Sequence, residues 1–136
     1  MDVLRLNIVV PIVGASGLYI ALAMLTSANR FFLRANPGFP SIYDSGVRYL
    51  RDAEHGSQAS PDNELWLTIP DAVRYGGADC KVLAAWRAAE LLEQGELAAP
   101  FLIEPPPGSR LWHVVVRRED GTLEDPSKIL GMKGPA

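Results

Sequence analysis

Apolar and polar positions follow different periods along the chain, and the changes of period mark its elements. From Leu4 to Val13 nearly every residue is apolar and rich in Val and Ile, which predicts a buried strand. Pro11, Gly14, Ser16 and Gly17 then interrupt the run. Ser16 is placed as a helix N-cap, and the helix it opens is expected to reach about Asn36, where Pro37 stops it. Arg30 and Arg34, four apart, share one face of that helix. The period is lost between residues 37 and 70. "NPGFPSIYDSG", a strand-like "VRYLRD" and the polar "AEHGSQASPDNE" follow one another, and their Pro, Gly, Ser and Asp predict surface excursion rather than core.

Helical spacing returns at Pro70. Thr68 or Ile69 before the proline and Asp71 after it open a short helix that Gly76 and Gly77 close. Asp79 heads a second, stronger helix from Cys80 to Gln94, ended by Gly95 and built of Ala, Leu, Glu, Arg and Lys. Leu83, Trp86, Ala89 or Glu90, and Leu91 define its inward face. The last third reads as β-structure: "APFLIE", then "LWHVVVRR", an Asp120-Gly121 hairpin signal, and "LEDPSKIL". The order predicts an α+β domain, its helices packed on one sheet of two or three antiparallel strands.

Length and charge narrow the reading. At 136 residues the chain is expected to form one domain: strand and helix over 1–36, an irregular middle over 37–70, and a core over 71–132. Thirteen Lys and Arg against sixteen Asp and Glu give a formal charge of -3, which argues against nucleic acid as a partner. No charge falls between Arg5 and Arg30, so residues 6–29 are long enough to cross a bilayer. The breakers in the middle of that stretch favour strand-turn-helix over a membrane span. A cytoplasmic or virion-associated chain is the expectation.

The one cysteine excludes an internal disulfide framework, and two well-separated histidines argue against a histidine-based metal site. Cys80 falls in the first turn of its helix, where unpaired N–H groups and the helix dipole favour negative charge. A thiol there is expected to have a lowered pKa and to act as a nucleophile; as an ordinary buried residue it would be a small hydrophobe. A cysteine nucleophile needs a base within hydrogen-bond reach. His113, near the start of its strand, is the candidate; His55 falls in the polar loop and is expected to be solvated. Asp125 is the candidate to orient the imidazole. A hairpin centred on Asp120-Gly121 would put it opposite about Val116, so reaching His113 requires a bulge, a shifted turn, or departure from the ladder. Glu124, of opposite parity, is the fallback.

Cys at a helix start, His on a following strand and Asp on the next strand form an ordered trio. "GGADCKVLAAWRAAELL", "LWHVVVRREDG" and "LEDPS" resemble the transglutaminase-like branch of the papain-fold cysteine enzymes, over about Trp66 to Met132. "SGVRYLRD" and the long first helix look like the small version found in phage and prophage gene clusters. The chain departs from that pattern at Lys81 and Val82, where acidic residues are common, at Val115, where an aromatic is usual, and in the short His-to-Asp spacing. The resemblance implies a Cys80–His113–Asp125 triad that attacks an amide or ester carbonyl of a peptide or protein. The Cys80 N–H would serve the oxyanion, with no metal or organic cofactor. Trp66, Tyr75 and Trp112 would flank the cleft. The other expectation is the same fold kept as an inactive structural piece, for instance of a phage particle, with the apolar N-terminal third docking other subunits.

Overall fold

The computed structural model describes residues 14–51, 65–109 and 111–133. The predicted strand over Leu4–Val13 and His55 lie outside them. The elements run α1 (Gly14–Ala35), a 3-10 turn (Ile42–Asp44), β1 (Arg48–Tyr49), α2 (Ile69–Tyr75), β2 (Gly77–Ala78), α3 (Cys80–Glu93), β3 (Ala99–Ile103), β4 (His113–Arg117), β5 (Leu123–Glu124) and α4 (Pro126–Ile129). The architecture is α+β, and among the described residues two sheets stand where one was expected: an antiparallel β3-β4-β5 and a parallel β1-β2 pair. No helix among the described residues is long and apolar enough to cross a membrane.

Helix α3 is the centre of the molecule. Ten of its residues are buried, from Lys81 to Leu91. A helix apolar on nearly every side is stable only when neighbours cover all of it, and here α1, β3, β4 and α4 do so. Two clusters share it. Val82, Leu83, Ala85 and Trp86 face Leu25, Ile42, Val47, Leu67 and Ile69; Ala84, Ala88 and Leu91 face Leu22, Leu102, Val114 and Val116. Fully burying one Leu, Ile or Val contributes roughly 1.5–3 kcal/mol, so these clusters outweigh the surface ion pairs. Arg30 and Arg34 each reach Glu93 at 2.6 Å, clamping the end of α1 to the end of α3.

The middle segment corrects the sequence reading. Ile42 is wholly buried, Val47 and Leu67 nearly so, and Phe39 stacks edge-on against Phe32. The described parts of residues 37–70 therefore supply core. Glu90 holds the 3-10 turn down by accepting from the Ile42 N–H at 2.9 Å. Asn29, buried in α1, accepts from the Ile69 N–H at 3.0 Å and fixes the start of α2.

The C-terminal hairpin also differs. Beyond Glu124 the expected third strand gives way to α4, with Asp125 as N-cap and Pro126 in the first turn. Pairing is Val116 with Glu124 and Arg117 with Leu123, one residue shifted from the register a tight Asp120-Gly121 turn would give.

Candidate functional site

Gly76 and Gly77, which precede the candidate nucleophile, have separate tasks. Gly76 has φ +80° and closes α2 with its N–H on the carbonyls of Ala72 and Val73. Gly77 allows β1 to pass at backbone contact, with Arg48 paired to Gly77 and Tyr49 to Ala78. That pairing ends two residues before Cys80, so the start of α3 is pinned to β1.

Cys80 is the first residue of α3 and only partly exposed. Its sulfur packs into the cluster that includes Val114 and Trp112. The backbone N–H groups of Val114 and Lys81 point their positive ends towards it and favour its anion. The sulfur thus meets β4 one residue past His113, and no hydrogen bond joins it to the imidazole. Burial, together with the Asp79 carboxylate, pushes the thiol up to about 11. This overturns the lowered value expected from the helix start: loss of water outweighs the N–H groups and the dipole.

The other two residues are brought together. His113 Nε2 lies 2.7 Å from Asp125 Oδ2. Asp125 does leave the ladder: as N-cap of α4 its Oδ1 accepts from the Lys128 N–H at 3.3 Å, and its Oδ2 turns back to β4. A carboxylate accepts, so Nε2 carries the proton and Nδ1 is left as the basic nitrogen. Glu124, the fallback, goes elsewhere: it accepts from Arg87 at 2.7 Å, Arg118 at 3.1 Å and the Tyr43 hydroxyl. Burial works to raise the Glu124 carboxyl, but the bonds from Arg87 and Tyr43 outweigh it and hold it below the usual range.

Two neighbours of the sulfur were not foreseen. Tyr49, brought by β1, has its phenol raised first by burial and then by Cys80 and Asp79, which lie within electrostatic reach. Lys81 is 7% exposed, pairs with Asp79 and lies over the Trp66 ring. The strand-like "VRYLRD" was the only sequence signal for Tyr49, and its parallel pairing with two residues before the cysteine had none.

Among the described residues, no three His, Cys, Asp or Glu side chains converge as metal ligands. Two surface hollows, of about 270 and 360 Å³, are lined by Glu96, Arg118 and Asp120 and by Leu33, Ser41 and Glu90; neither includes Cys80, His113 or Asp125.

The raised thiol has a consequence for stability. Between about pH 9 and 11 the unfolded chain has lost the Cys80 proton while the folded chain keeps it, so stability falls as pH rises through that window. The contribution is whole below pH 9 and worth roughly 2 kcal/mol. Chemical denaturation at pH 8 and pH 11 is expected to show wild type losing about that much more stability than Cys80→Ala. Equal losses in the two proteins would mean the thiol is not desolvated by folding.

Compared with known proteins, the chain matches no protein-family model, no curated protein and no solved structure.

Proposed function

We propose that this chain is a transglutaminase-like cysteine hydrolase or acyltransferase, with a papain-like core in which Cys80, His113 and Asp125 act as a triad. The observation that carries the reading is the 2.7 Å His113–Asp125 bond on elements packed against the helix that Cys80 begins. It orients a basic Nδ1 on the strand the sulfur already touches. Catalytic contacts are commonly loose before substrate binds, so a bond closing between sulfur and Nδ1 at that stage is compatible with the geometry.

The chemistry follows from these groups. His113 Nδ1 takes the thiol proton as the sulfur attacks an amide or ester carbonyl. The Cys80 N–H, unpaired within the helix, faces the oxyanion. The imidazolium, held by Asp125, returns the proton to the leaving amine or alcohol as the carbonyl re-forms, leaving a thioester on Cys80. Water or a second amine then takes the acyl group, and the thiol is restored. A peptide or protein is the substrate class.

Incubation with p-nitrophenyl acetate tests this. Intact-mass analysis is expected to show one acetyl group on wild type, placed on Cys80 by peptide mapping, and a yield strongly reduced in His113→Ala. An unacetylated Cys80 in wild type would sink the proposal.

A second reading has its own support. The outward face of α1 carries no charge from Ser16 to Ala28, and Tyr19, Ile20, Met24 and, past Arg30, Phe31 are exposed by 39%, 57%, 42% and 71%. An apolar face of that length marks an interface. It favours the same fold serving as a structural subunit of an assembly such as a phage particle, with the raised thiol inert. Stoichiometric assembly unaffected by Cys80→Ser, with no acetylation, would establish that reading over the enzyme.

A further inference from the structure

Asp79 occupies the N-cap of α3, where a carboxylate ordinarily accepts from the N–H of the second or third helical residue. Its side chain makes no cap bond. The carboxylate is instead paired with Nζ of Lys81, and the two side chains keep 17% and 7% of their exposure. The Lys81 ammonium also lies over the Trp66 ring, 5.4 Å from its centroid. These two residues flank Cys80 in sequence, and a charge pair so shielded from water acts on a neighbour with much of its strength. The carboxylate repels a thiolate; the ammonium attracts it.

We infer that Lys81 is a positioning residue for the Cys80 thiolate: it draws the Asp79 carboxylate off the cap, which leaves the Lys81 N–H to the sulfur, and it cancels that carboxylate's repulsion of sulfur charge. This rests on Cys80 being the nucleophile. The opposing directions of the two charges on the thiol agree with it. Among the described residues, Tyr49 on β1 with Arg51 beyond it, and His113 on β4 backed by Asp125 of α4, also stand near the site. The α1 residues of the same cluster, Ala15 and Leu18, carry no charge. Lysine at position 81 thus opposes the charge of its neighbour, where an acid would add to it. The acid already stands at Asp79, and a second one would suppress thiolate formation.

Iodoacetamide alkylation of Cys80 at pH 8 reads the thiolate directly. An opposite charge nearby shifts a group by about one pH unit or more, so Lys81→Met is expected to alkylate about tenfold more slowly and Asp79→Asn about tenfold faster. The double variant should return to within about twofold of wild type, and Lys81→Arg should keep the wild-type rate. A purely structural role for Lys81 would not give opposite signs that cancel. Wild-type rates in Lys81→Met overturn the inference. If that variant does not fold, Asp79→Asn decides alone: acceleration supports it, and an unchanged rate overturns it. Shifted rates without Cys80 acetylation would leave this effect standing and remove the enzyme; unshifted rates with acetylation would do the reverse.

Discussion

Asp125→Ala is expected to slow acetylation of Cys80 by about 10²–10⁴-fold, the usual range for losing an effective general base. The reason lies in the tautomer. Asp125 Oδ2 fixes the proton on Nε2 of His113 at 2.7 Å, so Nδ1 stays free to accept from sulfur. Without the carboxylate the proton is free to settle on either nitrogen, and the imidazolium formed during attack loses its counter-charge. Alanine also removes the α4 cap, a loss of about 1 kcal/mol. Asp125→Asn separates the two effects, because its side-chain oxygen can still accept from the Lys128 N–H while the charge is gone. Its melting temperature should stay near wild type while its rate falls at least as far as that of Asp125→Ala, because the amide nitrogen then faces Nε2 and donates to it, which moves the ring proton to Nδ1. Full activity in Asp125→Ala would show that the carboxylate serves only as a helix cap.

Gly77→Ala is expected to cost on the order of 3 kcal/mol or more, in the range reserved for overpacked sites. A Cβ at residue 77 would overlap the Arg48 carbonyl oxygen and lie 2.8 and 2.9 Å from carbons of Leu50. A backbone oxygen in a paired strand cannot swing aside as a side chain can. Relief requires β1 and β2 to separate, which breaks the Leu50 N–H to Ala78 carbonyl bond of 2.9 Å and the neighbouring bond from Arg48 to Gly76. Because β2 leads directly into Cys80, reactivity of the thiol should fall with stability. A denaturation midpoint equal to wild type would show that the two strands are not tightly paired. At Gly76 no atom crowds a Cβ; there the positive φ is what favours glycine.

Helices α1, α2 and α3 were legible because each carries its own signals. Apolar spacing placed α1 and α3, Pro70 marked the first turn of α2, and Gly76 marked its end. Strands β3 and β4 were legible as short runs rich in apolar and β-branched residues. What escaped depends on single residues acting at long range. Ile42 sits on one isolated turn, so no period announces it, yet it is wholly buried beneath Glu90 and α3. Asp125-Pro126 reads in sequence as the end of a strand, although an N-cap aspartate before a first-turn proline is also how a helix begins. The same misreading left unresolved how Asp125 could reach His113; departure from the ladder into α4 answers it.

The candidate site was legible in part for a similar reason. Sequence order pointed to Cys80, His113 and Asp125, and the last two do meet. It did not indicate that the sulfur would turn to the Val114 N–H, that burial would raise the thiol, or that Asp79 would spend its charge on Lys81. Each of these depends on which groups lose water when α3 packs against β4. Local pattern records the helix start and its dipole, but not desolvation.

The pH profile of Cys80 alkylation by iodoacetamide, compared between wild type and His113→Ala, tests most directly whether sulfur and imidazole work as a pair. A working pair lets His113 take the proton during attack, so wild type alkylates at pH 6 about 100-fold or more faster than the variant, whose rate climbs only as the buried thiol ionises in alkaline solution. Two profiles that superimpose from pH 6 to 11 would show that the imidazole never takes the sulfur's proton.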